Sequence, residues 1–154
     1  MACKDIGTLT NCPTSGPMIG ERLKQAGLRP TRQRVALGAL LFGAGDRHVT
    51  AEMLHDEAVR DAIPVSLATV YNTLHQFTEA GLLREVAIEG AKTYFDTNTS
   101  DHYHFYFEHN GALMDIQSDT VREVSIPEPP AGMRVSRIDV LVRLVRIESD
   151  SGGR

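Results

Sequence analysis

The stretch from Thr50 to Gly81 constrains the fold more than any other part of the chain. Thr50 stands directly before AEMLHDEAVR, and Ser66 directly before LATVYNTLHQFTEA. Hydroxyl side chains at such positions cap helices by accepting a hydrogen bond from the otherwise unpartnered first-turn N–H groups. Asp-Ala-Ile-Pro separates the two segments, and Gly81 closes the second. Proline lacks the N–H and clashes with the preceding turn, so it stops a helix; glycine supplies the left-handed residue that often ends one. In the second segment Leu67, Val70, Leu74 and Phe77 follow i, i+3, i+4 spacing, which predicts a buried stripe. Thr69, Asn72, Thr73 and Gln76 fall on the opposite face. They are short side chains that form hydrogen bonds without carrying charge.

Flanking segments extend this pair into a domain. GERLKQAG predicts a short helix ended by Gly27, and RQRVALGALLFG a helix apolar almost all round and so buried. GAGDRH reads as a turn. After Gly81, LLREVAI, Glu89-Gly90 and AKTYFD predict a β-hairpin. The last three of these helices followed by the hairpin make the plan of a winged helix-turn-helix, whose second helix-turn-helix element enters the major groove while the hairpin follows the backbone. A helical domain that binds protein is the alternative. The expected boundaries are a flexible tail over residues 1–18, a winged-helix DNA-binding domain over 19–97 and a dimerisation and sensing domain over 98–154. The fold class is therefore α+β.

Charge supports the same division. Residues 1–85 carry 9 basic and 9 acidic side chains, while residues 86–154 carry 7 and 11 and so the whole net charge of −4. Within the neutral half, IGERLKQAGLRPTRQR holds five basic residues and one acidic one. Such a run is a phosphate-binding edge or a solvated helix face. The uncharged polar face on the later helix favours DNA, because base edges are read by such side chains and phosphates by Arg and Lys. No apolar run is long enough to span a bilayer and no signal-peptide core is present, so a cytoplasmic location and no membrane partner are expected. Cys3 and Cys12 both lie in the tail and do not suggest a disulfide framework.

The second half opens on DHYHFYFEHNGALMDIQ. Asn-Gly between two alternating runs predicts a hairpin. On its first strand His102 and His104 are two residues apart and point the same way. That pair is either a polar strand face, with Tyr103, Phe105 and Phe107 packed below it, or a metal or haem site. SDTVREV predicts a short helix, IPEPPAG a loop, and MRVSRIDVLVRLVRI, rich in β-branched residues, a long strand. This half is too small to bury a good core alone, so pairing with a second copy into a homodimer is expected.

GLRPTRQRVALGAL, HVTAEMLH, SLATVYNTLHQFTEAGLL, KTYFD and DHYHF with LMDI together resemble the ferric uptake regulator family, dimeric metal-responsive transcription factors. The likeness runs from about Leu23 to Asp115. It implies a regulatory metal held by His48, Asp96, His102, His104 and Asp115. The donors agree: imidazoles and carboxylates without thiolate suit Fe²⁺ or Mn²⁺ better than a tetrahedral zinc. It also implies an operator in double-stranded DNA as partner, with Arg29, Arg32 and Arg34 as candidate phosphate contacts. Ser66, Thr69, Tyr71 and Asn72 are candidates for the groove.

Departures from the family pattern narrow the branch. No cysteine follows residue 12, and Phe107 and Asn110 stand where a first CxxC pair would fall, so no structural Cys₄ zinc site is expected. Tyr103 replaces an acidic ligand of a further metal site. Loss of the cysteines, GLRPTRQR and RIDVLVRLVR are most similar to the iron response regulators, the Irr branch. That resemblance implies haem as an effector, with His102, Tyr103 and His104 as candidate ligands and Cys12-Pro13 as a haem-binding dipeptide. TSDHYH with Asp96 and Asp115 also resembles the peroxide-sensing PerR branch. A small metalloenzyme built on the HxH cluster is the remaining alternative. No nucleophile–base pair accompanies that cluster, so no enzymatic activity is expected.

Overall fold

The computed structural model describes residues 16–90, 92–117 and 125–147 of the 154-residue chain. They fall into two compact units that divide between Thr99 and Ser100. The expected helix over 118–124 lies outside the described residues, as do Cys3 and Cys12. No helix among the described residues is long and apolar enough to cross a membrane.

The first unit contains α1 (Gly16–Gln25), α2 (Arg32–Phe42), β1 (His48–Val49), α3 (Ala51–Arg60), α4 (Leu67–Glu79), β2 (Arg84–Val86) and β3 (Tyr94–Asp96). Helix α1 begins at Gly16, inside the stretch expected to be tail. The caps anticipated from the sequence form. Thr50 accepts from the N–H of Met53 at 3.2 Å and Ser66 from that of Thr69 at 3.1 Å. Thr31 does the same for Arg34 at 3.3 Å. Helix α3 ends through Ala62 at φ +55°, a left-handed position taken by a non-glycine residue just ahead of Pro64. Gly81, at φ +75°, ends α4 and lets Leu82 N–H reach back to Phe77 C=O at 2.8 Å.

One apolar core holds these elements. Ile19 and Leu23 of α1, Leu37 and Leu41 of α2, Leu54 of α3, and Val70, Leu74 and Phe77 of α4 are buried together with Val49 and Phe95. The stripe on α4 needs correction at two places. Leu67 is exposed, because it is the first helical residue and lies beyond the reach of the neighbouring helices. Thr73, expected on the polar face, is buried, since it sits three residues after Val70 and four before Phe77. The region expected to be a plain turn ends in β1. His48 and Val49 pair antiparallel with Asp96 and Phe95, making a three-stranded sheet in the order β1-β3-β2. Two residues are too few for an alternation pattern to betray a strand.

The second unit is a sheet of β4 (Tyr103–Phe107), β5 (Ala112–Ile116) and β6 (Leu141–Leu144) in the order β5-β4-β6. The hairpin β4–β5 pairs His104 with Asp115, and its turn ends at Gly111 with φ +68°. Strand β6 runs parallel to β4, with His104 opposite Leu141. The long strand expected from Met133 to Ile147 is therefore only four residues. Strand β4 offers no further residues to pair with beyond Phe107, and Met133 and Ile147 lie exposed. The faces of β4 are also reversed from the simple expectation. His104 and Tyr106 are the buried positions, whereas Tyr103, Phe105 and Phe107 are half-buried.

Helices α1 and α2 approach closely at Gly38. A Cβ there would lie 2.7 Å from Cγ2 of the buried Ile19. Helix propensity alone makes Gly→Ala stabilising by about 1 kcal/mol, but overpacking a core costs about 1–3 kcal/mol. Gly38→Ala is expected to lower the unfolding free energy of this unit by about 1 kcal/mol net. Urea denaturation followed by helical circular dichroism checks it, and a gain in stability would contradict the packing described.

Candidate metal centre and the exposed face of α4

Strand β3 organises the first donor cluster. Its last residue, Asp96, lies in register with His48 on β1 and with Arg84 on β2, so the three side chains share one face of the sheet. Asp96 is wholly buried. Its Oδ1 accepts the N–H of Asn98 at 2.8 Å, and its Oδ2 lies 3.2 Å from Nε2 of His48. His48 itself is fixed through its neighbour. Arg47 N–H donates to Thr97 Oγ1 at 2.8 Å, and Thr97 N–H returns a bond to Arg47 C=O at 3.1 Å. The Arg47 guanidinium grips Glu57 of α3 through both carboxylate oxygens, at 3.0 and 2.5 Å, and reaches Leu40 C=O of α2 at 3.2 Å.

The second cluster lies wholly on the β4–β5 hairpin. His102 and His104 are both buried, with ring centroids 4.5 Å apart. Their Nε2 atoms converge on Oδ1 of Asp115, at 3.2 and 3.5 Å. His102 Nδ1 lies 2.7 Å from the carbonyl oxygen of Ser100. A carbonyl only accepts, so Nδ1 carries the proton and the neutral ring presents its lone pair at Nε2. This is the usual support of a metal-ligating histidine, whose other ring nitrogen is held by a carbonyl or carboxylate.

The two clusters share one pairing, a histidine Nε2 3.2 Å from a carboxylate oxygen. For His102, whose Nδ1 carries the proton, a neutral Nε2 lone pair 3.2 Å from Asp115 Oδ1 is a contact between two acceptors. It becomes favourable only with a proton or a cation between them. Imidazole nitrogens and carboxylate oxygens fit a borderline or hard divalent ion such as Fe²⁺ or Mn²⁺, so the donors present suit that group. The sequence had indicated all five residues. It carried no sign of the Ser100 carbonyl, which is a backbone contact without a residue preference, or of Arg84 opposite Asp96, which only the strand register reveals. The histidines' neighbour Tyr103 is half-buried on the alternate side of β4, and Cys12 lies outside the described residues.

The residues expected at DNA lie as follows. Ser66 and Thr69 join at the start of α4, their hydroxyls 2.9 Å apart. Tyr71 and Asn72 are exposed on α4, and Arg29 and Arg32 are exposed at and before the start of α2. Arg34 is placed differently from the other two arginines. Its Nε and Nη2 donate to Gln76 Oε1 at 3.1 and 2.7 Å, and its Nη1 donates to Arg29 C=O at 2.8 Å. It links α2 to α4 through the two bonds to Gln76 and holds the segment before α2 through the third.

Residues 25–140 match the family model described as the ferric uptake regulator family. The chain is similar to the peroxide-responsive repressor PerR of Staphylococcus aureus (strain Mu50), with 34% identity over 102 residues, covering 66% of this chain and 68% of that protein. Among solved structures, it resembles the ferric uptake regulator of Pseudomonas aeruginosa with manganese at 25% identity and a TM-score of 0.64, covering 83% and 97% of the two chains. It shares its fold with the Campylobacter jejuni peroxide stress regulator at 20% identity and a TM-score of 0.55, covering 86% and 96%. With a family model spanning most of its length and a mixed helix and sheet structure that matches solved members, the chain belongs to the ferric uptake regulator family of metal-responsive, DNA-binding transcription regulators and is not an enzyme.

Proposed function

We propose that this chain is a dimeric regulator of iron homeostasis in the cytoplasm, in which one divalent metal ion, Fe²⁺ or Mn²⁺, is shared by the two units. The first unit, over 19–97, is the winged-helix DNA-binding domain, with α4 as the helix in the major groove and β2–β3 as the wing. The second, over 98–154, is the dimerisation and sensing domain. His48 and Asp96 from the first, and His102, His104 and Asp115 from the second, are the ligands. The observation that carries this reading is the repeated pairing of a histidine Nε2 with a carboxylate oxygen at 3.2 Å in both units. When bound, the ion would supply positive charge between the histidine nitrogens and the two carboxylates. The chain's own residues do the rest: Ser100 sets the His102 tautomer, the β4–β5 register aims His104 at Asp115, and Arg47 holds β1 against α3. Arg29 and Arg32 contact phosphates, and Ser66, Thr69, Tyr71 and Asn72 face the groove. Arg34 contributes by bracing Gln76 on α4.

A second reading within the same family is peroxide sensing, favoured by the 34% identity to a peroxide-responsive repressor. In it the iron-loaded protein oxidises one of its own ligating histidines. The Irr-like reading, with haem at His102 or His104 and a contact at Tyr103 or Cys12, draws on sequence alone. Buried imidazoles aimed at one carboxylate suit an ion better than the face of a macrocycle.

His48→Ala and His104→Ala are each expected to weaken Mn²⁺ binding by more than about 100-fold, because they remove ligands rather than their supports. Titration calorimetry at neutral pH measures it. An unchanged affinity in His48→Ala would confine the ion to the second unit. In DNA binding, log affinity against log salt should be steep. Replacing Arg29 and Arg32 with Ala should flatten the slope by about 0.9 for each phosphate no longer neutralised. An unaltered slope would remove those arginines from the backbone. Mass spectrometry of the Fe²⁺ form after peroxide separates the branch readings: an added oxygen on His48 or His102 establishes the sensor, and its absence at full iron loading rejects it.

A further inference from the structure

The exposed face of α4 is not built from α4 alone. Tyr71 projects from it, and its hydroxyl lies 3.0 Å from Oε1 of Glu52, in the first turn of α3. The same Oε1 is 3.8 Å from Nζ of Lys92, in the loop between β2 and β3. Three successive elements thus meet at one carboxylate. A negative charge beside a surface that meets phosphates opposes binding, so its presence there calls for a compensating role.

We propose that Glu52 is a positioning residue that sets the base preference of Tyr71. The inference rests on the DNA-binding reading above. An ionised carboxylate only accepts, so the phenol must spend its single proton on Glu52. The phenolic oxygen then turns only lone pairs outward. In the major groove it pairs with an exocyclic amino donor, the N6 group of adenine or the N4 group of cytosine, and it rejects the acceptor edge of guanine. Lys92 offsets the charge that Glu52 brings toward the phosphates.

Titration behaviour agrees with this geometry. The Glu52 carboxyl is held below the usual range, chiefly by the backbone N–H of its own first helical turn, with Tyr71 and Lys92 adding to it against partial burial. The Tyr71 phenol is pushed up, chiefly by its hydrogen bond to Glu52. Both shifts keep the acceptor charged and the donor protonated at neutral pH.

Glu52→Gln keeps the shape and removes the constraint, because an amide donates as well as accepts. The full-length Mn²⁺-loaded protein is used to select duplexes from a random-sequence library, and wild type is compared with Glu52→Gln and Tyr71→Phe. Wild type is expected to restrict one position per half-site to adenine or cytosine on the contacted strand. Both variants are expected to relax that restriction about tenfold, the scale of one base contact, and the double variant to relax it no further. Unfolding midpoints and Mn²⁺ affinity should not change. The Tyr71 phenol, followed by NMR of labelled tyrosine, should titrate at lower pH in Glu52→Gln. Wild-type preference retained in Glu52→Gln overturns the proposal. Should that variant misfold, retained preference in Tyr71→Phe overturns it equally. No enrichment by wild type at all overturns the DNA-binding reading itself, and this inference with it.

Discussion

A carboxylate with no exposed surface has to be compensated, and in this chain Asp96 is that group. Burying an isolated charge is so costly that it persists only when paired, hydrogen-bonded or bound to a cation. Much of the first unit's sheet serves this need. Strand β1 exists as two residues, and one of them is the histidine opposite Asp96; strand β2 places Arg84 on the other side. The turn after Asp96 folds back so that Asn98 N–H satisfies Oδ1. Removing the carboxylate would leave an arginine and a histidine side by side on that face without the anion between them.

That constraint reaches the helices through the chain itself. Val49 ends β1 and enters the core, and Thr50, the next residue, is the cap of α3. Any displacement of His48 therefore pulls on the first turn of α3, with no linker to absorb it. Arg47 closes a second connection, gripping Glu57 one turn from the end of α3 and the Leu40 carbonyl of α2. Two discrete ties thus join the residues around His48 to α3. Helix α3 in turn packs on α4 and carries Glu52 to Tyr71. The path from His48, a ligand in the proposed site, to the exposed face of α4 is thus short and made of main-chain continuity and side-chain hydrogen bonds.

Much of this was legible in the sequence because the signals were local. Caps at Thr50 and Ser66, glycines at 27, 81 and 111, and the HxH spacing all act within a few residues, and each feature formed where expected. What escaped was set by partners far away in the chain. Leu67 follows the apolar spacing but stands beyond the neighbouring helices, while Thr73 is buried because position, not polarity, decides which side of α4 faces the core. Arg34 reads as one more basic residue until Gln76, 42 positions later, takes its guanidinium. The strand expected over Met133–Ile147 had the right composition but only the five residues of β4 to pair with.

The second unit shows how little apolar material a small sheet can hold. Its buried positions among the described residues are Tyr106 and Ile116 together with the two histidines. A core in which imidazoles take the places of aliphatic side chains gains little from burial alone. It depends on satisfying every polar atom, as the Ser100 carbonyl and Asp115 begin to do. In many relatives, by the resemblance drawn from the sequence, cysteine-bound zinc reinforces this part of the fold; here Phe107 and Asn110 occupy the first of those positions. Reinforcement must then come from elsewhere. Two sources are consistent with the residues present: a cation at the His102–His104–Asp115 cluster, and a second copy covering the apolar side chains left open along and beyond β6. Val145 and Ile147 are 72% and 94% exposed, and the proposed homodimer would cover them. On the proposed reading, metal and partner would both reinforce this sheet. Loss of the ion would then loosen the β4–β5 hairpin, which carries His102, His104 and Asp115.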